Sequence, residues 1–213
     1  GNANFNVGIG TDDPEAAVGA GVTAKLSVGI LSAYQLYGDG SNLTGLAGFS
    51  PDAQENLYAG TGAGAASDAD TCNNIGLGCN ALNDVNSGDY NVAFGYKSGA
   101  YITSGSHNIA FGSLAMGVNT LTGGCNIAIG QKSLCKTTSG NDNIAIGVCA
   151  GKCITTSHSN VLLGKTAGLN LDDTDHGNVL VGYYAGCKLG SGGTAWDNVF
   201  AGRYAGMGLC SGY

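Results

Sequence analysis

The sequence predicts an all-β protein, a parallel β-roll or β-solenoid of about nine coils, each 17–18 residues long. Three observations carry that expectation: an asparagine that recurs in phase, an aliphatic-x-apolar triplet directly after it, and a glycine four residues on. Self-similarity at a short fixed period is the signature of a solenoid, in which each unit buries its apolar face only by stacking on its neighbours.

The asparagines are Asn56, Asn74, Asn91, Asn108, Asn126, Asn143, Asn160, Asn178 and Asn198, spaced by 17 or 18 residues with a last gap of 20. Taking each as position 0, position +1 is always aliphatic, from Leu57 and Ile75 to Val199, and +3 is always apolar. Alternation of this kind has strand periodicity, and the β-branched residues suit a very short strand. Glycine at +4 in all nine units permits a backbone turn closed to other residues. Alanine or serine at +7 fits a tight corner, and six units place an aliphatic residue at +11: Val85, Ile102, Ile154, Leu171, Leu189 and Leu209. The expected coil therefore has +1, +3 and +11 pointing inward, with +11 on a second short strand. The asparagines are expected to form a ladder, each amide bonding to backbone and to the same amide one coil away.

Composition narrows the function. Glycine supplies 39 of 213 residues, yet 43% are apolar, which argues against a disordered linker. A net charge of −7 with 8 Lys and Arg argues against a nucleic-acid groove or an anionic membrane surface as partner. No apolar run approaches the roughly 20 residues of a membrane span, so membrane insertion is not expected. Glycine strings such as “GTGAGAAS” (60–67) lack the Lys-Ser/Thr and helix start of a phosphate loop and fall in phase with the array. No catalytic constellation emerges, and an enzyme is not expected.

The repeat “NIAIG” with Ala or Ser three residues on, across roughly residues 56–206, resembles the head repeats of trimeric autotransporter adhesins. Those are left-handed parallel β-rolls with units shorter than these, three chains to a head. “NVGIGTDDPEAAV” (6–18) and “YGDGSNLTGL” (37–46) look like β-rich modules of bacteriophage tail fibres, especially those of marine phages. Together the resemblances imply a β-rich connector over 1–50 and a repetitive roll with a C-terminal cap over 51–213. They imply a structural and adhesive tail-fibre segment of a virion, extracellular, joined to other tail or fibre proteins through the connector and touching a host glycan or protein. A cellular surface adhesin or extracellular filament subunit is the alternative. An ice-binding solenoid is set aside because the outward positions +5 and +6 read Tyr-Lys, Ser-Leu, Gln-Lys, Val-Cys, Lys-Thr and Tyr-Tyr rather than a regular threonine row.

The resemblance further implies a parallel homotrimer. With +1 and +3 inward, +2 faces out, and its row is apolar or glycine throughout: Ala93, Ala110, Ala128, Ala145, Leu162, Leu180 and Phe200 among them. That row is the expected interface between chains. Late aromatics beside a cation, Tyr183, Tyr184, Trp196, Arg203 and Tyr204, are the candidate glycan-contact residues, since exposed aromatics stack on sugars and anchor interfaces.

Eight cysteines suggest disulfides. Cys135 at +9 and Cys153 at +10 of the next coil lie on layers about 4.8 Å apart and are the expected bridge. “LDDTDHG” (171–177) gathers Asp172, Asp173 and Asp175, hard ligands of the kind calcium takes. The stretch matches neither known calcium-loop pattern, so no metal or cofactor is expected. His158 and His176 share position −2 on neighbouring coils and are placed to stack.

Overall fold

The computed structural model describes residues 51–171, 173–190 and 193–209. The expected connector over 1–50 lies outside them. Nine three-residue strands follow in chain order: β1 (Leu57–Ala59), β2 (Ile75–Leu77), β3 (Val92–Phe94), β4 (Ile109–Phe111), β5 (Ile127–Ile129), β6 (Ile144–Ile146), β7 (Val161–Leu163), β8 (Val179–Val181) and β9 (Val199–Ala201). They form one parallel sheet in sequence order, each paired with the next. The register is constant, so Val92 lies on Ile109, Ile109 on Ile127 and Ile127 on Ile144. The chain is a β-solenoid, and each coil below takes the number of its strand.

Turns make up the remainder of each coil. The expected second strand at +11 is absent among the described residues except for one isolated parallel bridge, Ile102 to Leu121. Position +11 nevertheless points inward in five of its six aliphatic members: Val85, Ile102, Ile154, Leu171 and Leu189 are fully buried, whereas Leu209 in the last coil is exposed. Glycine at +4 sits at φ between 124° and 142° in all nine coils. A Cβ on Gly78 would lie 2.6 Å from the carbonyl oxygen of Gly95 one coil on, so conformation and stacking distance both demand glycine.

The asparagine ladder is present. The Oδ1 of Asn126 accepts hydrogen bonds from the backbone N–H and the Nδ2 of Asn143, each at 3.1 Å. The Nδ2 of Asn126 also donates to the carbonyl of Gly140 at 2.8 Å. Asn74 through Asn178 are fully buried, so satisfying both ends of each amide is what makes their burial tolerable. In the first coil Asp52 takes the part that the preceding asparagine plays elsewhere. Its Oδ1 accepts from the Asn56 N–H at 2.9 Å and its Oδ2 from the Asn56 Nδ2 at 3.1 Å.

The ladder also overturns the expected facing of the strand. Ala93, Ala110, Ala128, Ala145, Leu162 and Leu180 are fully buried inside their own coil, and Phe200 packs against the same core. Positions +1 and +3 face outward instead, as Ile109, Phe111, Ile129, Ile146 and Val181 show by their exposure. Side chains alternate with period two along a strand. The asparagine at 0 points inward, so +2 must follow it and +1 and +3 must not.

Position +8 completes the interior. A Cβ on Gly168 would lie 2.8 Å from the Leu162 Cδ2, and one on Gly206 would lie 2.5 Å from the Phe200 ring. Where +2 is small, +8 is often large: Gly76 goes with Leu82, Ala110 with Met116 and Ala128 with Leu134, all three +8 side chains being buried. Two coils, with Ala93–Gly99 and Ala145–Gly151, are small at both positions. Their space is taken by neighbours, since a Cβ on Gly99 would lie 3.0 Å from the Leu82 Cδ2 and one on Gly151 2.8 Å from the Leu134 Cδ2. This reciprocity keeps a thin core packed at constant coil spacing.

Candidate functional site

Three surfaces present chemistry. The first is the outer face of the sheet, built from +1 and +3. It carries two apolar residues per coil over nine coils, and Phe94 and Phe111 stack on it with ring centroids 5.1 Å apart.

The second follows the glycine turn, where +5 projects from the corner and +6 lies beside it, mostly half-buried. Here Tyr183, Tyr184 and Tyr204 converge, with centroids 4.5, 5.5 and 5.8 Å apart in pairs. The Arg203 guanidinium lies 4.9 Å from the Tyr204 ring centre and 5.4 Å from that of Tyr183, and Lys165 Nζ lies 5.9 Å from the latter. Four of the five candidate glycan-contact residues therefore form one surface cluster, with Tyr184 half-buried and the other three exposed. Trp196 does not join it. It occupies −2, beyond the opposite end of the strand, on the row of His158 and His176, and its Nε1 donates to the Thr174 carbonyl. Sequence proximity grouped Trp196 with the tyrosines, whereas the coil separates −2 from +5 by a whole strand.

The third surface is that −2 and −1 corner. The rings of His158 and His176 stack at 4.2 Å and nearly parallel, as their shared register predicts. The His158 backbone N–H donates to His176 Nδ1 at 3.1 Å. Burial, followed by the neighbouring His158, pushes the His176 pKa below the usual imidazole value. A shallow groove of about 390 Å³ runs beside it, lined by Gly124, Cys125, Asn141, Asp142, His158 and Ser159.

The expected Cys135–Cys153 bridge is not formed, and both residues are free thiols. The one-residue offset decides this. Cys135 at +9 stacks on Lys152, the +9 residue of the next coil, with its Sγ 3.9 Å from the Lys152 carbonyl oxygen. Burial raises the Cys135 pKa, an effect the nearby lysines oppose. The described residues of the acidic stretch do not converge on one point either. Asp172 lies outside the described residues, Asp173 is exposed, and Asp175 is buried with its Oδ1 accepting from the Ala195 N–H at 2.6 Å. Among the described residues no three His, Cys, Asp or Glu side chains come together as a metal site.

The fold and these surfaces define a parallel β-solenoid with an apolar outer sheet face and an aromatic-cationic corner. No protein family, curated protein or solved structure compared with the chain matches it.

Proposed function

We propose that this chain is a structural and adhesive fibre segment, assembling as a parallel homotrimer through the outer sheet face. The observation that carries the reading is the apolar strip of +1 and +3. It is about 10 Å wide and about 40 Å long, the size at which an exposed patch marks an interaction site. A solvated sheet face would alternate polar residues outward, whereas here β5 and β6 expose Ile129 and Ile146. A second and third copy of the chain are the natural occupants, because every coil offers the same strip in the same register and a thin roll gains core by sharing it. The N-terminal modules and the repeat pattern support placement on a virion tail, with the connector joining other fibre proteins and the roll giving reach toward a host surface.

The test separates interface from core. Ile129→Glu/Ile146→Glu should dissociate the assembly into folded monomers, whereas Ala128→Glu should unfold the coil itself. Light scattering of the unaltered protein should give three times the 21.1 kDa chain mass. A monomeric or twofold mass, or a double variant that keeps the full mass, removes the trimer from the proposal.

A further inference from the structure

The cations of the roll are segregated around the coil. All seven in the described residues lie between +5 and +10: Lys165 and Arg203 at +5, Lys97 and Lys132 at +6, Lys152 at +9, Lys136 and Lys188 at +10. No coil has an Asp or Glu between +4 and +9, and the described acidic residues run from +10 round to −1. A chain of net charge −7 thus carries a basic corner that its composition conceals.

Along the axis the +5 and +6 cations fall on alternate coils: Lys97 in coil 3, Lys132 in coil 5, Lys165 in coil 7 and Arg203 in coil 9. Two coils advance about 9.6 Å, so the four residues recur at even steps along the axis over about 29 Å, Lys165 and Arg203 exposed and Lys97 and Lys132 half-buried. Tyrosines lie among them. Lys97 Nζ is 5.6 Å from the Tyr96 ring centre, and Lys165 and Arg203 approach Tyr183 from the coils on either side. Tyr96, Tyr183 and Tyr204 are exposed. Cation–π contact holds the charged heads near the rings without neutralising them.

We propose that this ridge binds an acidic polysaccharide lying along the solenoid axis, with about one carboxylate or sulfate per disaccharide facing each ridge cation. This inference rests on the adhesive part of the function proposed above and names its ligand class. The charge repeat corresponds to the advance of a disaccharide in an extended chain. Tyrosine rings supply the flat apolar faces on which sugars stack, and the lysines and arginine supply the counter-charge. Duplex DNA fits poorly, since it presents one charge per about 1.7 Å. An anionic membrane is recognised by a compact group of basic residues, which a single spaced row does not form.

The experiment measures binding of hyaluronate, dextran, duplex DNA and phosphatidylserine vesicles to the assembled protein by calorimetry, at low and at physiological salt. Hyaluronate should bind, more weakly as salt rises, and dextran should not. Lys132→Gln/Lys165→Gln should weaken hyaluronate binding at least tenfold. Lys136→Gln/Lys152→Gln, which removes the same charge off the ridge, should change it less than twofold. Equal losses in the two variants, equal binding of dextran, or tighter binding of DNA or vesicles would overturn the proposal. The mass of each sample, measured first, keeps the two readings apart. An intact trimer that ignores hyaluronate removes the ridge and leaves the fibre.

Discussion

In coils 2 to 6 the inward strand residue is small (Gly76, Ala93, Ala110, Ala128, Ala145), and the larger filling comes from +8 in Leu82, Met116 and Leu134. In coils 7 to 9 the roles reverse. Leu162, Leu180 and Phe200 come from the strand and +8 is glycine. The register does not change across the boundary, because Ala145 lies on Leu162 as directly as Ala128 lies on Ala145. The asparagine ladder and the +4 glycines hold a common frame, and within it the core is free to draw volume from either wall. Large +2 residues at the C-terminal end therefore turn inward over glycine.

The strongest check on the common frame is to cut the same rung in both regions. Asn126→Ala and Asn160→Ala each strand buried donors and carbonyls, and each should cost about 4 kcal/mol, measured by denaturant unfolding. A difference well beyond about 1 kcal/mol would show that the two regions depend on the ladder differently.

Next comes a direct test of reciprocity. Gly168→Leu forces a side chain onto Leu162 at a backbone φ of 57° and should destabilise by about 3 kcal/mol. Leu134 already occupies the equivalent position in coil 5 at φ 45°, so that backbone conformation admits leucine. The double variant Leu162→Ala/Gly168→Leu copies the Ala128–Leu134 arrangement and should recover most of the loss. If the double is as unstable as the single, volume is not exchanged between the walls.

The smallest effect distinguishes the regions by pH. His176 accepts a hydrogen bond at Nδ1, which only the neutral ring can do. Its pKa is lowered in the folded state, so the unfolded chain binds more protons between the folded pKa and the ordinary value near 6.5. Stability from this residue is therefore present above that range and lost as pH falls through it. The loss should be about 1 kcal/mol or less, one partly exposed hydrogen bond. His176→Asn, which keeps an acceptor in a similar place, should flatten the decline in melting temperature between pH 7 and pH 5. His107 in coil 4 stacks on Tyr90 of coil 3 rather than on a second imidazole.

The sequence by itself determined the solenoid, the number and phase of its coils, the parallel pairing and the ladder, because each follows from a residue type recurring at a fixed spacing. The turn glycine at +4 was equally legible, since only one residue fits that backbone. The direction of the strand was not, because +1, +2 and +3 are all apolar and hydrophobicity carries no parity. Only the inward asparagine set it, and with it moved the expected interface from Ala128 and Ala145 to Ile129 and Ile146. The left-handed residues at −1 and +6, such as Tyr90, Asp142, Lys97 and Thr166, were hidden for a related reason: the turn tolerates many side chains there. Grouping of Tyr183, Tyr184, Arg203 and Tyr204 without Trp196, and gathering of the cations on one corner, required the coil to be closed. Stacking brings residues of equal phase together and separates neighbours in sequence, so charge and aromatic patches in this protein are properties of the register.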